Sequence, residues 1–309
     1  MDSRQRTIEK EISCRGIGLH SGKAVRMIIK PAPADSGITF ERLDASNDCK
    51  IRASFDNITQ TNMATTIGMN GHSISTVEHL MAAFFGMGID NALVQIDGDE
   101  VPIMDGSSAP FVALLDSAGI ALQDRFKRFL LVKKPVKVID GNKSVQLHPS
   151  DELRITYRID FDHPLIKGQS YDMAFSKATF MREISRARTF GFLRDVQTLW
   201  DNGLAKGGSL ENAIVVDETR ILNDDGLRYK NEFVRHKLLD FIGDLAILGV
   251  TVIGHFVVER SGHSFNRESL KTFMAQENCW EELQFKNNED YGKRNVRIPS
   301  FGFLGFAPA

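Results

Sequence analysis

Cysteine is scarce: Cys14, Cys49 and Cys279 are odd in number, far apart and in no CxxC pattern. That argues against a disulfide framework and a thiolate zinc site, and it points to a reducing compartment. Proline is also rare, at 9 residues, and no low-complexity tract occurs, so extended disorder is not expected. Neither sign of charge dominates. Lys and Arg number 38 against 40 Asp and Glu, a net charge of −2 that offers no electrostatic footprint for nucleic acid. The longest apolar stretch, Leu245–Ile253, is too short to span a bilayer and straddles Gly249. The segment Met1–Lys10 lacks the apolar core of a secretory signal. A soluble, cytoplasmic protein without a transmembrane segment is therefore expected. The HExxH spacing of zinc proteases is absent, and so is any Gly-rich phosphate loop, which leaves a P-loop or dinucleotide fold without support.

What is present is an ordinary globular composition, 42% hydrophobic and 25% charged, in a chain of 309 residues, long enough for two domains with a core each. The first unit, 1–126, reads as strands at Ile8–Ile12, Ala24–Ile29 and Ile38–Leu43 and then a helix at Thr76–Met87 stopped by Gly86 and Gly88. A strand at Asn91–Ile96 follows, and a second helix runs through Gly119 with Ser107 or Ser108 as its N-cap. The charged run Gln123–Arg128 reads as a linker. The order then starts again in 127–309, with strands at Phe129–Ile139, Ser144–Leu147 and Leu153–Ile159, a helix at Glu232–Leu248, a strand at Val250–Val258 and a helix near Ser264–Ala275. An insertion between Ser185 and Val216 has no counterpart in the first unit. Strands first and helices later define an α+β fold rather than a parallel βαβ sheet.

On the longer helix His236, Asp240 and Asp244 recur every four residues and share one face, opposite Val234, Leu238, Phe241 and Leu245. Glu78 and His79 open the earlier helix, where Val77, Leu80, Met81 and Phe84 group against His79. Each helix is expected to bury its apolar stripe and turn its polar residues toward a shared cleft. Imidazole and carboxylate are zinc ligands, and a catalytic zinc takes three of them with one position open. A His and two Asp on a helix more often make a solvated face or a capped ion-pair cluster than a metal site, and HxxxD alone does not separate these. Val77–Met81 and Val234–Leu238 both precede an apolar helix, a Gly and a strand-like run, a faint internal repeat. Two copies of one unit, each donating a His, would build a metal centre between domains.

Around these residues stand Gly16-Ile-Gly-Leu-His-Ser-Gly22, Pro102-Ile-Met-Asp-Gly106, Ser185-Arg-Ala-Arg-Thr-Phe-Gly-Phe192 and Ser261-Gly-His263. With these motifs in order, nearly the whole chain resembles the UDP-3-O-acyl-N-acetylglucosamine deacetylases, the zinc amidases of lipid A biosynthesis. The resemblance implies two similar α+β domains packed with helices inside, as a β-α-α-β sandwich with the site between them. It implies Zn2+ on His79, His236 and Asp240; a two-His, one-carboxylate set also holds Fe2+. Glu78 corresponds to the general base and His263 to the general acid, oriented and charged by Asp244. A carboxylate beside an imidazole favours the cation, and an amine leaves poorly unless protonated. Thr189 matches a hydroxyl that helps stabilise the oxyanion, and Lys237 a cationic contact to substrate.

In the insertion, Phe190, Phe192 and Val196, with Leu199, Trp200 and Leu204, match an apolar passage for the fatty acyl chain. Such a passage fits a soluble enzyme, because an exposed chain costs about 0.8 kcal/mol per CH₂. Lys143, Asp160, Phe161 and Arg260 match contacts to uracil and diphosphate. Arg260 stands where the family usually carries Lys, which keeps the charge but changes the donor geometry. Read without the resemblance, Glu78 is equally an acid favoured by a helix N-terminus, His263 a loop residue, Thr189 a backbone cap, Lys237 a surface lysine and the insertion's stripe a piece of core.

The expected activity is zinc-dependent hydrolysis of the acetamide of UDP-3-O-(3-hydroxyacyl)-N-acetylglucosamine by a monomer, the committed step of lipid A biosynthesis. Two rivals stand beside it: a metal-dependent amidohydrolase acting on another N-acetylated sugar or nucleotide, and a non-catalytic carbohydrate- or lipid-binding protein whose His and Asp cluster is structural.

Overall fold

A computed structural model describes residues 3–45, 49–285 and 296–301. The first half runs β1 (Arg4–Ile8), β2 (Ile12–Ile17), β3 (Ala24–Pro31), β4 (Ile38–Arg42), β5 (Cys49–Arg52), β6 (Ile58–Gln60), β7 (Thr66–Met69) and β8 (His72–Ile74), then α1 (Glu78–Met87), β9 (Ala92–Ile96), α2 (Ala109–Ala118) and β10 (Ile120–Phe126). The second half runs β11 (Arg128–Val132), β12 (Val136–Asp140), β13 (Lys143–His148), β14 (Leu153–Ile159), β15 (Gln169–Ala174), a single turn α3 (Lys177–Thr179), β16 (Phe190–Phe192), α4 (Leu193–Asp201), β17 (Ile214–Val216), α5 (Glu232–Ala246), β18 (Thr251–Glu259), α6 (His263–Ala275) and β19 (Trp280–Gln284).

The halves repeat one topology. In the first sheet, ordered β2-β3-β9-β4-β5, β9 lies antiparallel to β3 and parallel to β4. In the second, β18 lies antiparallel to β13 and parallel to β14, with β12 and β15 on the outer sides and β11 and β19 extending the sheet. The order β12-β13-β18-β14-β15 thus reproduces the first sheet strand for strand, and the faint repeat in the sequence is a repeat of architecture.

Helices α1 and α5 lie between the sheets. All of α1 except Phe85 is buried, and on α5 only Arg235, Lys237 and Ala246 escape burial. A helix covered all round belongs to a protein interior. One apolar cluster runs from Met27, Phe40 and Val94 of the first sheet, through Leu80, Phe84, Phe241 and Leu245 of the helices, to Tyr157 and Phe256 of the second. Burying each such side chain contributes about 1.5–3 kcal/mol. Gly243 lets the helices approach closely: a Cβ there would lie 2.1 Å from the carbonyl oxygen of Glu78. The result is an α+β sandwich with its helices inside. Among the described residues no helix is long and apolar enough to cross a membrane.

Several element boundaries differ from the sequence reading. Ile8–Ile12 is not one strand; β1 pairs with β10 and β2 with β3, and the charged Glu9-Lys10-Glu11 turns between them. Most of the charged run taken for a linker belongs to β10, because alternating polar residues suit a strand exposed on one face. Phe129–Ile139 is broken by Pro135, which cannot donate to a ladder, into β11 and β12. Ser108 occupies the N-cap of α2 without capping it; its hydroxyl instead donates to the carbonyl of His79 at 2.7 Å.

Candidate active site

α1 opens at Glu78-His79 and crosses the face of α5 that carries His236, Asp240 and Asp244. The tight passage at Gly243 is what lets side chains 161 positions apart in sequence share a space the size of one ion. Donor atoms of His79, His236 and Asp240 all lie within 4.8 Å of one another. Asp240 Oδ1 stands 3.4 Å from His79 Nε2 and 3.3 Å from His236 Nε2, and the two rings meet edge to face at 5.0 Å. Tetrahedral zinc, with bonds of about 2.0–2.1 Å, places its donors about 3.3–3.4 Å apart.

Three further features fit a cation. Asp240 Oδ1 is buried and accepts no hydrogen bond. His236 Nδ1 is 3.1 Å from the carbonyl of Ala187, an acceptor only, so the ring proton sits there and the Nε2 lone pair faces the site. Burial pushes the His236 imidazole down to about 3 against the pull of Asp240, leaving it neutral. Burial also opposes the charge of Asp240, but His236, Lys237 and His79 hold it well below the usual carboxylate range.

The carboxyl of Glu78 accepts the Thr65 N–H at 3.1 Å through Oε2 and points Oε1 at His263 Nε2, 3.6 Å away. Burial raises Glu78 above the ordinary carboxylate range, with His263 and His79 working against it. His263, the first residue of α6, sets Nδ1 2.9 Å from Asp244 Oδ2, and its Nε2 lies 3.9 Å from Asp240 Oδ2. Burial alone would lower this imidazole; Asp244 and Glu78 outweigh it and lift the ring to about 9. Lys237 Nζ donates to Asp240 Oδ2 at 2.6 Å, and although burial works against its charge, Asp240 keeps the ammonium above its usual value. The carboxyl groups of Glu78, Asp240 and Asp244 therefore share one buried space with the Lys237 ammonium and the His263 imidazolium. Each buried ion costs several kcal/mol unless compensated.

The walls of the site come from the second half. Phe190 stacks edge-on with Phe161 at 5.6 Å, Phe233 at 5.0 Å and His236 at 6.3 Å, and Phe192 lies 6.0 Å from Phe161. Phe161 and the two insertion aromatics thus form one cluster beside the trio. Thr189 ties the loop before α2 to β17 through its backbone: its N–H donates to the Gly106 carbonyl and its own carbonyl accepts the Ile214 N–H. Val196 is half-buried on α4, a helix with no fully buried residue and with Leu193 and Trp200 exposed. Lys143, Asp160 and Arg260 gather at one end of the second sheet: Ser144 pairs with Glu259, and the Arg260 N–H donates to Arg158 O at 2.9 Å. Arg260, at φ 51°, binds Asp160 and holds its carboxyl below the usual range, whereas Lys143 pairs with Asp140 at 3.6 Å.

Sequence reasoning missed four supports. Thr65 and Asn266 both bond Asp244. Tyr157 donates to the carbonyl of Ser261 at 2.9 Å and anchors the turn before His263. Arg188, fully buried, binds Glu232 and so pins the Ala187 carbonyl against His236. Of these only Asn266, three residues past His263 on a helix, carried a positional signal.

A buried trio of two imidazoles and a carboxylate, with the Glu78 carboxyl on one side and a carboxylate-backed imidazole on the other, fits the class of hydrolases built around a metal centre. The comparisons narrow the class. The family model of UDP-3-O-acyl N-acetylglycosamine deacetylase (LpxC) matches residues 5–275. A UDP-3-O-acyl-N-acetylglucosamine deacetylase of Syntrophus aciditrophicus (strain SB) is 49% identical over 308 residues, covering 97% of this chain and 98% of the relative. One of Myxococcus xanthus (strain DK1622) is 50% identical over 305 residues, covering 99% and 95%. The chain belongs to the UDP-3-O-acyl-N-acetylglucosamine deacetylase family, and it is a hydrolase.

Proposed function

We propose that this chain is a zinc-dependent deacetylase that releases acetate from UDP-3-O-(3-hydroxyacyl)-N-acetylglucosamine, the committed step of lipid A biosynthesis, acting as a cytoplasmic monomer. The observation that carries the reading is the convergence of His79, His236 and Asp240 on one point with Glu78 and His263 beside it. His79, His236 and Asp240 would hold the ion, which when bound polarises a carbonyl and lowers the pKa of water toward neutrality; Fe2+ suits the same donors.

Glu78 takes the proton of the attacking water, a role its raised pKa suits. His263 enters protonated at neutral pH and delivers that proton from Nε2 to the departing amine, while Asp244 orients the ring and sustains its charge. Thr189 helps stabilise the oxyanion where charge develops, and Lys237 supplies a cationic contact to the substrate. Phe190, Phe192 and Val196 shelter the acyl chain, and Phe161, Asp160, Lys143 and Arg260 meet the UDP end. On this reading the two domains are 1–126 and 127–309, and the insertion from Ser185 to Val216 is the acyl passage.

The test is metal analysis joined to an acetate-release assay on the acylated UDP-sugar and its unacylated analogue. Glu78→Ala should keep zinc and lose most of the rate, whereas His79→Ala should lose the metal. Equal zinc content in the two variants, or equal turnover of the two substrates, would contradict the assignment.

A further inference from the structure

Thr65 is 1% exposed and sits between β6 and β7, in the half of the chain that supplies Glu78 and His79. Its hydroxyl nevertheless reaches into the other half. Oγ1 donates to Asp244 Oδ1 at 2.6 Å and stands 3.2 Å from His263 Nδ1. Its backbone N–H donates to Glu78 Oε2 at 3.1 Å, and its carbonyl accepts from Val77 N at 3.3 Å, just ahead of α1. One residue therefore touches the group assigned to accept a proton, the imidazole assigned to donate one, and the carboxylate that orients that imidazole.

The proton inventory makes the arrangement directional. A hydroxyl has one hydrogen, and the shorter contact gives it to Asp244 Oδ1, leaving only lone pairs to face His263. The Nδ1–H of His263 is then shared between Asp244 Oδ2 and Thr65 Oγ1, which fixes which edge of the ring faces away, and Nε2 is left aimed at Glu78 and Asp240. Asp244 Oδ2 is already engaged by His263 and by Asn266 Nδ2 at 2.7 Å. Oδ1 depends on Thr65. Without the hydroxyl, a buried carboxylate oxygen loses its partner and the carboxylate is free to turn.

We propose that Thr65 is a positioning residue that locks the Asp244–His263 pair against Glu78 across the two halves of the molecule. The inference rests on the roles given above to Glu78 and His263, and it assigns to the first half a hold on proton delivery by the second. Thr65→Val keeps the shape and the backbone N–H and deletes the hydroxyl, and Thr65→Ser keeps the hydroxyl.

The experiment measures kcat and KM for acetate release, zinc content and thermal unfolding for wild type, Thr65→Val, Thr65→Ser, His263→Ala and the Thr65→Val/His263→Ala double variant. Thr65→Val should lower kcat by about 10- to 100-fold, the scale of a misplaced catalytic group, with KM and zinc content unchanged. Thr65→Ser should restore most of that loss. The double variant should be no slower than His263→Ala, because Thr65 acts through the imidazole. Unchanged kcat in Thr65→Val, a serine variant as slow as the valine one, or a further full loss on the His263→Ala background would each overturn the proposal. If the valine variant does not fold, Thr65→Ala takes its place under the same criteria. A wild type without acetate release, or an undiminished His263→Ala, would instead sink the functional reading itself.

Discussion

The site depends on how closely α1 and α5 cross, and Gly243→Ala tests that dependence with one methyl group. An added Cβ would stand 2.1 Å from Glu78 O, 2.7 Å from its carbonyl carbon and 2.9 Å from its Cα, where ordinary contact begins at 3.4 Å. The obstacle is backbone on a buried helix, so no rotamer change relieves it and the helices must part by roughly the shortfall of 1.3 Å, the difference between the two distances. Two energies compete. Alanine gains about 1 kcal/mol over glycine in a helix interior, and overpacking a close-packed interior costs about 1–3 kcal/mol. The net loss of stability is small, about 0–2 kcal/mol.

The chemistry has no such offset. Donor spacings of 3.3 and 3.4 Å suit one ion, and metal sites hold their distances to about ±0.2 Å. Glu78, at the point of impact, moves with the backbone. The variant should unfold nearly as wild type does, lose the metal of the proposed centre to a competing chelator far more readily, and release acetate about 100-fold more slowly. Thermal unfolding, elemental analysis after chelator dialysis and the acetate assay check the three parts. A folded variant with wild-type metal retention and rate would refute the claim that this approach sets the site.

Two other outcomes follow from the buried charges. The carboxylate of Asp244 is the strongest of the influences that raise His263, whose proposed acid role requires the proton and therefore fails as pH climbs through its pKa, lifted here to about 9. Asp244→Asn should move the alkaline limb of kcat/KM to lower pH and depress the rate at neutrality; an unmoved limb would remove Asp244 from that duty. Arg188 and Glu232 form a pair whose side chains are 2% and 0% exposed. Arg188→Met strands the glutamate and should cost about 3–5 kcal/mol in denaturant unfolding, and adding Glu232→Gln should recover part of it. A single variant within about 1 kcal/mol of wild type, the size of an average substitution, would show that the pair is inconsequential.

Much of the geometry of the candidate site was legible in the sequence. The four-residue recurrence of His236, Asp240 and Asp244, and the opposition of His79 to Val77, Leu80 and Phe84, follow from helical period, and the side chains converge accordingly. The roles expected of His263, Thr189 and the aromatic trio rested on family motifs, because no local period links a residue on α6 or in a loop to a face of α5. Thr65 carried no signal. A threonine beside a short strand looks like any other, and its partners lie 179 and 198 positions away. The strand boundaries erred where charged or proline-bearing stretches pair with distant strands, as β10 does with β1.

Sequence alone determined the periodic faces, the paired layout of strands and helices and the residue types able to hold a cation and move protons, because these are set by neighbours within a few turns of chain. Tertiary structure decided how close the two helices come, which ring nitrogen of His236 and of His263 faces inward and which oxygen of Asp240 accepts no hydrogen bond. Those depend on one glycine contact, a carbonyl from the insertion and a hydroxyl from the opposite half, all distant in sequence and brought together only by burial of the shared apolar core.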